Sequence, residues 1–243
     1  MDTWDEAMEY DAMDFIEVNT AFCEATLALV PLQSPSLSVL DAGTGTARIP
    51  ILLNQILSRQ QRPLWQITAI DLAASMLKIG AANIATAQLE PYIHLAQIDA
   101  KQLPYPDASF DLVISNSIVH HLPDPLPFLK ELRRVLKPGA GLLLRDLLRP
   151  PNETIVQELV ARIGPEYNAH QQQLFGDSLR AAFTLSEIQE LLTGAGLTPN
   201  LGVTLAQSSE LHWSAACQLH LEASTLQPPL QMWNRCNCYH CNY

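Results

Sequence analysis

Three carboxylates in the first half of the chain each close a short apolar run: Asp41 after Ser38-Val-Leu, Asp71 after Trp65 to Ile70, and Asp99 after Ile93 to Ile98. The first run continues into Ala42-Gly43-Thr44-Gly45-Thr46. Glycines at 43 and 45 leave no Cβ between the backbone and a ligand, and a helix starting behind them aims its amide dipoles at that ligand. A turn built for a dinucleotide pyrophosphate carries a further glycine at the position held here by Arg48. Asp71 can accept hydrogen bonds from two ribose hydroxyls, and Asp99 can take the exocyclic amine of adenine while the Ala100 amide meets a ring nitrogen. Three acids at three strand ends therefore describe a negative pocket for a cationic, adenosine-bearing ligand without phosphates.

A second group of residues lies where an acceptor would enter. Ser115-Asn116-Ser-Ile-Val-His120-His121-Leu-Pro-Asp124 follows a strand, and a histidine there can remove a proton from a reacting group. The alternative is that one histidine caps or packs the next helix. Arg145-Asp146 ends a later strand, with Arg149 beyond it; these arginines can clamp a carboxylate or phosphate, or Arg145 can pair internally with Asp146. Tyr10-Asp11 and Glu17-Val-Asn19 read either as a lid or as a solvated helix face. Tyr167, His170, Phe175, His212 and Trp213 are candidates for the walls of a substrate pocket, or for core.

The elements that must hold these residues follow from periodicity. Residues 5–30 read as a helical lead-in, and 38–41, 65–71, 93–98, 110–115 and 141–146 as strands. Helices are expected over 47–57, 73–88 and 124–136, with Lys137-Pro-Gly139 turning the chain into the fifth strand. Residues 152–194 read as helical, with Thr184-Leu-Ser-Glu187 as a capping box, and strands at 197–205 and 211–221 close the fold. Strands alternating with helices mean a parallel sheet covered on both faces.

The composition bounds the function. Charged residues are 16% and hydrophobic ones 48% of 243, which excludes global disorder and suits one domain. A net charge of −11 opposes a nucleic-acid partner. No basic leader or membrane-length apolar run is seen, so a cytoplasmic protein is expected. Residues 223–243 read as a flexible tail in which Cys236, Cys238, His240 and Cys241 are spaced too tightly for a standard zinc site, so no metal is expected.

The run Val39 to Pro50, the Asp71-Leu72 pair, the segment Asp99 to Asn116, and Leu129 to Gly141 with Leu132-Arg-Arg-Val-Leu-Lys-Pro-Gly together resemble class I S-adenosylmethionine-dependent methyltransferases. Among these, the likeness is to small-molecule enzymes similar to the ubiquinone and menaquinone C-methyltransferases, and it covers residues 10 to 222. The resemblance implies an α/β, Rossmann-like fold: a seven-stranded, mostly parallel sheet with helices on both faces and the last strand antiparallel. It implies one domain over 1–222, with 1–34 as a lead-in or lid and 150–195 as an insertion near the acceptor. S-adenosylmethionine is the implied cofactor and a small molecule the implied acceptor. Asp41, Gly43, Thr44 and Gly45 would line the methionine moiety, Asp71 hold the ribose, Leu72 pack on adenine, Asp99 and Ala100 meet the adenine edge, and Asn116 border the sulfonium. Ala47 stands where such motifs often carry a third glycine. A non-catalytic protein that binds the same cofactor, and a nicotinamide-dependent oxidoreductase, are the rival readings.

Overall fold

Short runs rich in valine, isoleucine and leucine form strands where polar, glycine or proline turns bound them. They are β1 (Ser38–Ala42), β2 (Gln66–Asp71), β3 (Ile93–Gln97), β4 (Phe110–Asn116), β5 (Leu136–Leu147), β6 (Thr204–Gln207) and β7 (His212–Cys217). In the computed structural model, which describes residues 3–13, 15–163 and 168–220, they make one sheet of order β3-β2-β1-β4-β5-β7-β6. β1 to β5 pair in parallel, and β7 runs antiparallel to both β5 and β6. The strand order reverses between β1 and β4. A crevice at such a reversal, outside the carboxyl ends of the strands, is where open α/β sheets bind ligands.

Eight helices flank the sheet among the described residues: α1 (Trp4–Asp11), α2 (Ile16–Ala28), α3 (Arg48–Arg59), α4 (Ala74–Ala87), α5 (Leu126–Val135), α6 (Glu153–Ile163), α7 (Ala169–Ala181) and α8 (Leu185–Gly194). Side chains of α2, α3 and α4 build the core on one face with Phe22, Leu53, Leu57 and Trp65. Those of α5 and α8 build it on the other with Phe128, Leu132, Leu192 and Trp213. α1 lies on α4 through Ala7, Met76 and Ile79, with the Lys78 ammonium 4.7 Å from the centre of the half-exposed Trp4 ring.

Several boundaries differ from the sequence expectation. The lead-in is two helices, broken between Asp11 and Ile16, and residues 152–194 divide into three. β5 begins at Leu136, so Lys137-Pro-Gly139 belongs to the strand; the register against β4 shifts between Phe110 and Leu112, and Gly139 takes φ +73° there. A bulge lets the strand absorb a proline that cannot donate to the ladder. The strand expected over 197–205 shrinks to β6 because Pro199 starts a 3₁₀ turn. The capping box of α8 forms as expected, with the Glu187 N–H donating to the Thr184 hydroxyl and the Thr184 N–H to the Glu187 carboxylate. Tyr167 and the cysteines of the tail lie outside the described residues.

Candidate active site

β1 carries Asp41 into the interior, where the residue is 1% exposed, and hands the chain to the glycine turn. The Gly43 and Thr44 N–H groups both donate to the Ile70 carbonyl at 2.9 Å, which pins the turn to the end of β2. Gly43 has φ +81°, and a Cβ there would stand 2.7 Å from the Ile118 side chain. The Gly45 N–H donates to one oxygen of Asp71 at 2.8 Å, and the Ala73 N–H to the other at 2.9 Å. Asp71 thus fixes both the turn and the start of α4 while keeping lone pairs free for further donors. Ala47, in the place of a third glycine, adopts φ +62° just before α3. A methyl group in that left-handed conformation costs on the order of 1 kcal/mol.

Among the described residues, four buried polar atoms around the turn have no hydrogen-bond partner: Asp41 Oδ2, Thr44 Oγ1, Thr46 Oγ1 and Asn116 Oδ1. Interiors rarely leave such atoms unpaired, so a ligand seated beside the turn would find hydrogen-bond partners there. Burial pushes the Asp41 carboxyl up to about 7, the nearby Thr44 hydroxyl opposing the rise and the Asp71 charge adding to it. A cation seated beside Asp41 would reverse that shift.

A cavity of about 480 Å³ opens onto the turn, lined by Gly43, Thr44, Gly45 and Asn116 from the sheet edge and by Tyr10 and Asn19 from the lead-in. The lead-in is fastened there. Arg48 makes a two-pronged contact with Asp11, at 2.9 Å from Nε and 2.6 Å from Nη2, and the Asn83 amide donates to Asp11 at 3.2 Å. Burial, then the charges of Asp71 and Asp11, push the Tyr10 phenol up to about 12. Farther along the edge, Leu72 is 60% exposed, as a residue that packs on a ligand would be in the free protein. Asp99 turns its half-exposed carboxylate onto Lys101, accepting from its amide at 2.9 Å and pairing with its ammonium at 3.1 Å, and Ala100 packs against the core.

After β4 the chain makes a 3₁₀ turn, Val119–His121. Asp146, 1% exposed on β5, organises this turn: it accepts from the Val119 amide at 2.5 Å and the His120 amide at 3.3 Å, while its other oxygen lies 2.5 Å from His120 Nδ1. Only 5% of the His120 side chain is exposed. His121, exposed at the surface, stacks on it at 4.0 Å between ring centres. Crowding by protein atoms, with the His120 ring adding to it, pushes the His121 pKa down to about 4.

Other expected site residues are placed elsewhere. Arg145 does not pair with Asp146, because adjacent strand residues point to opposite faces. Its Nε donates to the Ser214 hydroxyl at 3.2 Å and its guanidinium lies 5.4 Å from the centre of the Phe22 ring. Arg149 is committed to Glu187 at 2.5 Å. Trp213 is core at 1% exposed, and Phe175 packs in a small cluster of α6, α7 and β5, so neither lines the cavity at the glycine turn. His170 is exposed on α7, away from the cavity lining. His212, half-buried at the start of β7, bonds to the Ser209 hydroxyl at 2.9 Å, and burial with the Arg145 charge pushes its pKa down. Asp146 as the partner of His120 was missed by the sequence reading, although strand alternation at Arg145-Asp146 already separated the two side chains.

Residues 40–144 match the family described as methyltransferase domain. Over 218 residues the chain is 26% identical to a 27-O-demethylrifamycin SV methyltransferase of Amycolatopsis mediterranei, covering 88% of this chain and 72% of that one. It is 31% identical over 144 residues to a demethylmenaquinone methyltransferase of Listeria monocytogenes, covering 58% of each. Against the menaquinone relatives, then, the chain spans little more than half their length. A methyltransferase from Methanococcus maripaludis shares the fold at TM-score 0.65 and 19% identity, covering 92% of this chain and 96% of that one. One from Aquifex aeolicus does so at 0.62 and 18%, covering 90% and 99%. The segment that matches the methyltransferase-domain family carries the glycine turn, the strand-end acids and the reversal of the sheet, and the chain shares the Rossmann-like fold of these solved methyltransferases.

Proposed function

We propose that the protein methylates a small organic acceptor through a hydroxyl or an acidic carbon, with His120 as the base. S-adenosylmethionine, when bound, supplies an electrophilic methyl group on a sulfonium. Asp41, Thr44 and Asn116 would hold the donor's methionine end, since their unpartnered atoms offer two acceptors and a hydroxyl to an ammonium and a carboxylate. Asp71 would hold the ribose, with Leu72 against the adenine and Asp99 and Ala100 at its edge. Tyr10 and the break between α1 and α2 close over this end, which fits a lid role for the lead-in.

The observation that carries the catalytic reading is the buried His120–Asp146 pair, one turn beyond the strand whose last residue is Asn116. Asp146 accepts the Nδ1 hydrogen and leaves the Nε2 lone pair for a proton. With the methyl donor bound, Nε2 would take the acceptor's proton as the acceptor gains the methyl group and S-adenosylhomocysteine leaves. Asp146 stabilises the imidazolium, which later loses that proton to water. The relatives named for rifamycin and menaquinone substrates support an aromatic or quinone-like acceptor. The free cysteines Cys23 and Cys217 support a cytoplasmic setting, and the charge of −11 supports a small molecule over nucleic acid.

Transfer of a labelled methyl group to a panel of phenols, hydroquinones and enolisable acids tests this. His120→Ala should cut turnover of the accepted compound by about 10² to 10⁴ while S-adenosylhomocysteine affinity stays within a few fold. Full turnover in that variant refutes His120 as the base.

A further inference from the structure

Arg145 is the one arginine of the sheet's ligand-binding edge that the site described so far leaves without work. It is half-buried, and among the described residues no carboxylate lies within ion-pair distance of it; its Nη groups have no hydrogen-bond acceptor either. Partial burial pushes its pKa down, with no anion alongside to oppose the shift. In a chain with 25 acids, a half-buried guanidinium held by one hydroxyl and an aromatic face keeps its Nη donors free for an anion from outside the chain.

Its position says what that is. Arg145 pairs in register with Asn116 on one side and Ser214 on the other, so the three side chains form one polar row on one face of the sheet. Neighbouring strands are about 4.8 Å apart, so the guanidinium emerges one strand from Asn116, which lines the cavity. The helix above tells the same story. Phe22, against which Arg145 lies, is three residues from Asn19 on α2, hence on the same helical face, and Asn19 also lines the cavity. The charged groups facing Arg145 are few. His212 shares its face of the sheet and is pushed toward neutrality by burial first and then by the Arg145 charge, while Asp146 points to the opposite face.

We infer that the methyl acceptor carries a carboxylate or phosphate group, and that Arg145, one strand from the cavity residue Asn116, binds this oxyanion, with Ser214 holding the guanidinium in place. The inference deepens the methyl-transfer reading and rests on it. Arg145 is here a specificity residue: its planar fork suits two oxygens of one anion, and the Phe22 ring lies alongside it. The acceptor's charge would lie on the far side of Asn116 from the glycine turn, leaving its nucleophilic atom toward the sulfonium.

The test is a calorimetric titration of the full chain saturated with S-adenosylhomocysteine, using matched probes: benzoate against benzamide, and phenyl phosphate against phenol. At least one anion should bind about tenfold or more tightly than its neutral partner. Arg145→Met should abolish that preference, and Arg145→Lys should keep part of it, with S-adenosylhomocysteine affinity within about twofold in both. Equal binding of the charged and neutral probes in the unaltered protein overturns the inference without recourse to any variant. So does a preference that survives Arg145→Met. If S-adenosylhomocysteine itself fails to bind, the methyl-transfer reading falls and takes the inference with it; if it binds and the anions do not, only the inference falls.

Discussion

Replacing Asp41 by asparagine should make the protein more stable at alkaline pH and worse at holding its methyl donor. The carboxyl is displaced from 3.8 to about 7 by burial, and each pH unit of displacement is worth about 1.4 kcal/mol, so the ionised form costs the native state about 4 kcal/mol. Because the folded pKa is raised, the carboxyl's contribution to stability is fully present below pH 4 and is lost as pH rises through 7. Asparagine keeps the shape and never ionises, but its amide needs a partner and forfeits about 1 to 3 kcal/mol if it finds none. Urea denaturation should therefore find the variant within about 1 kcal/mol of the parent at pH 5 and about 2 kcal/mol ahead of it at pH 8. His121, with its pKa down at about 4, moves the stability of both proteins in the opposite sense with pH and cancels in the difference. Calorimetric titration at pH 8 should show S-adenosylhomocysteine bound about tenfold or more weakly, the loss of a charge-assisted hydrogen bond. A stability difference that does not change between pH 5 and pH 8 would refute the buried-carboxylate reasoning, and a variant that gains stability yet keeps its affinity would refute the placement of the donor's ammonium.

Gly43→Ala adds a methyl 2.7 Å from Ile118 at φ +81°, so a loss of about 2 to 4 kcal/mol in denaturant, with loss of S-adenosylhomocysteine binding, is expected. Asp146→Asn removes the acceptor that orients His120 and caps the 3₁₀ turn; the turnover number should fall by about 10² or more at unchanged donor affinity, and equal turnover would detach Asp146 from catalysis. Arg48→Met severs the exposed pair with Asp11, worth less than about 1 kcal/mol to global stability. Hydrogen exchange in α1 should nonetheless quicken and S-adenosylhomocysteine should dissociate faster; unchanged exchange there would mean that Arg48 does not hold the lead-in.

The sheet and its ligand edge were legible because their signals are local. A glycine pair behind an apolar run and an acid at the end of the next are backbone requirements written in consecutive residues, and Asp41, Gly43, Gly45 and Asp71 occupy the expected elements. What stayed hidden was relational. Asp146 faces His120 only because β4 and β5 are neighbours, and Arg149 finds Glu187 only because α8 folds back beneath it. Trp213 could be read as a pocket aromatic or as core, and it is core because β7 inserts between β5 and β6 and buries it. The extent of β5 was concealed by Lys137-Pro-Gly139, a turn signal that a bulge reuses inside a strand.

The seating of Trp4 on α4 gives the lead-in an optical signature of its own. Trp65 and Trp213, both 1% exposed, emit from dry surroundings that opening of the lead-in would leave unchanged. Trp4 lies at the opposite extreme, 45% exposed on α1 with the Lys78 ammonium over its ring, so undocking α1 would remove the cation and immerse the indole in water. With Trp233, outside the described residues, replaced by phenylalanine, the Trp4 emission would report, on the timescale of mixing, each time the glycine turn is uncovered.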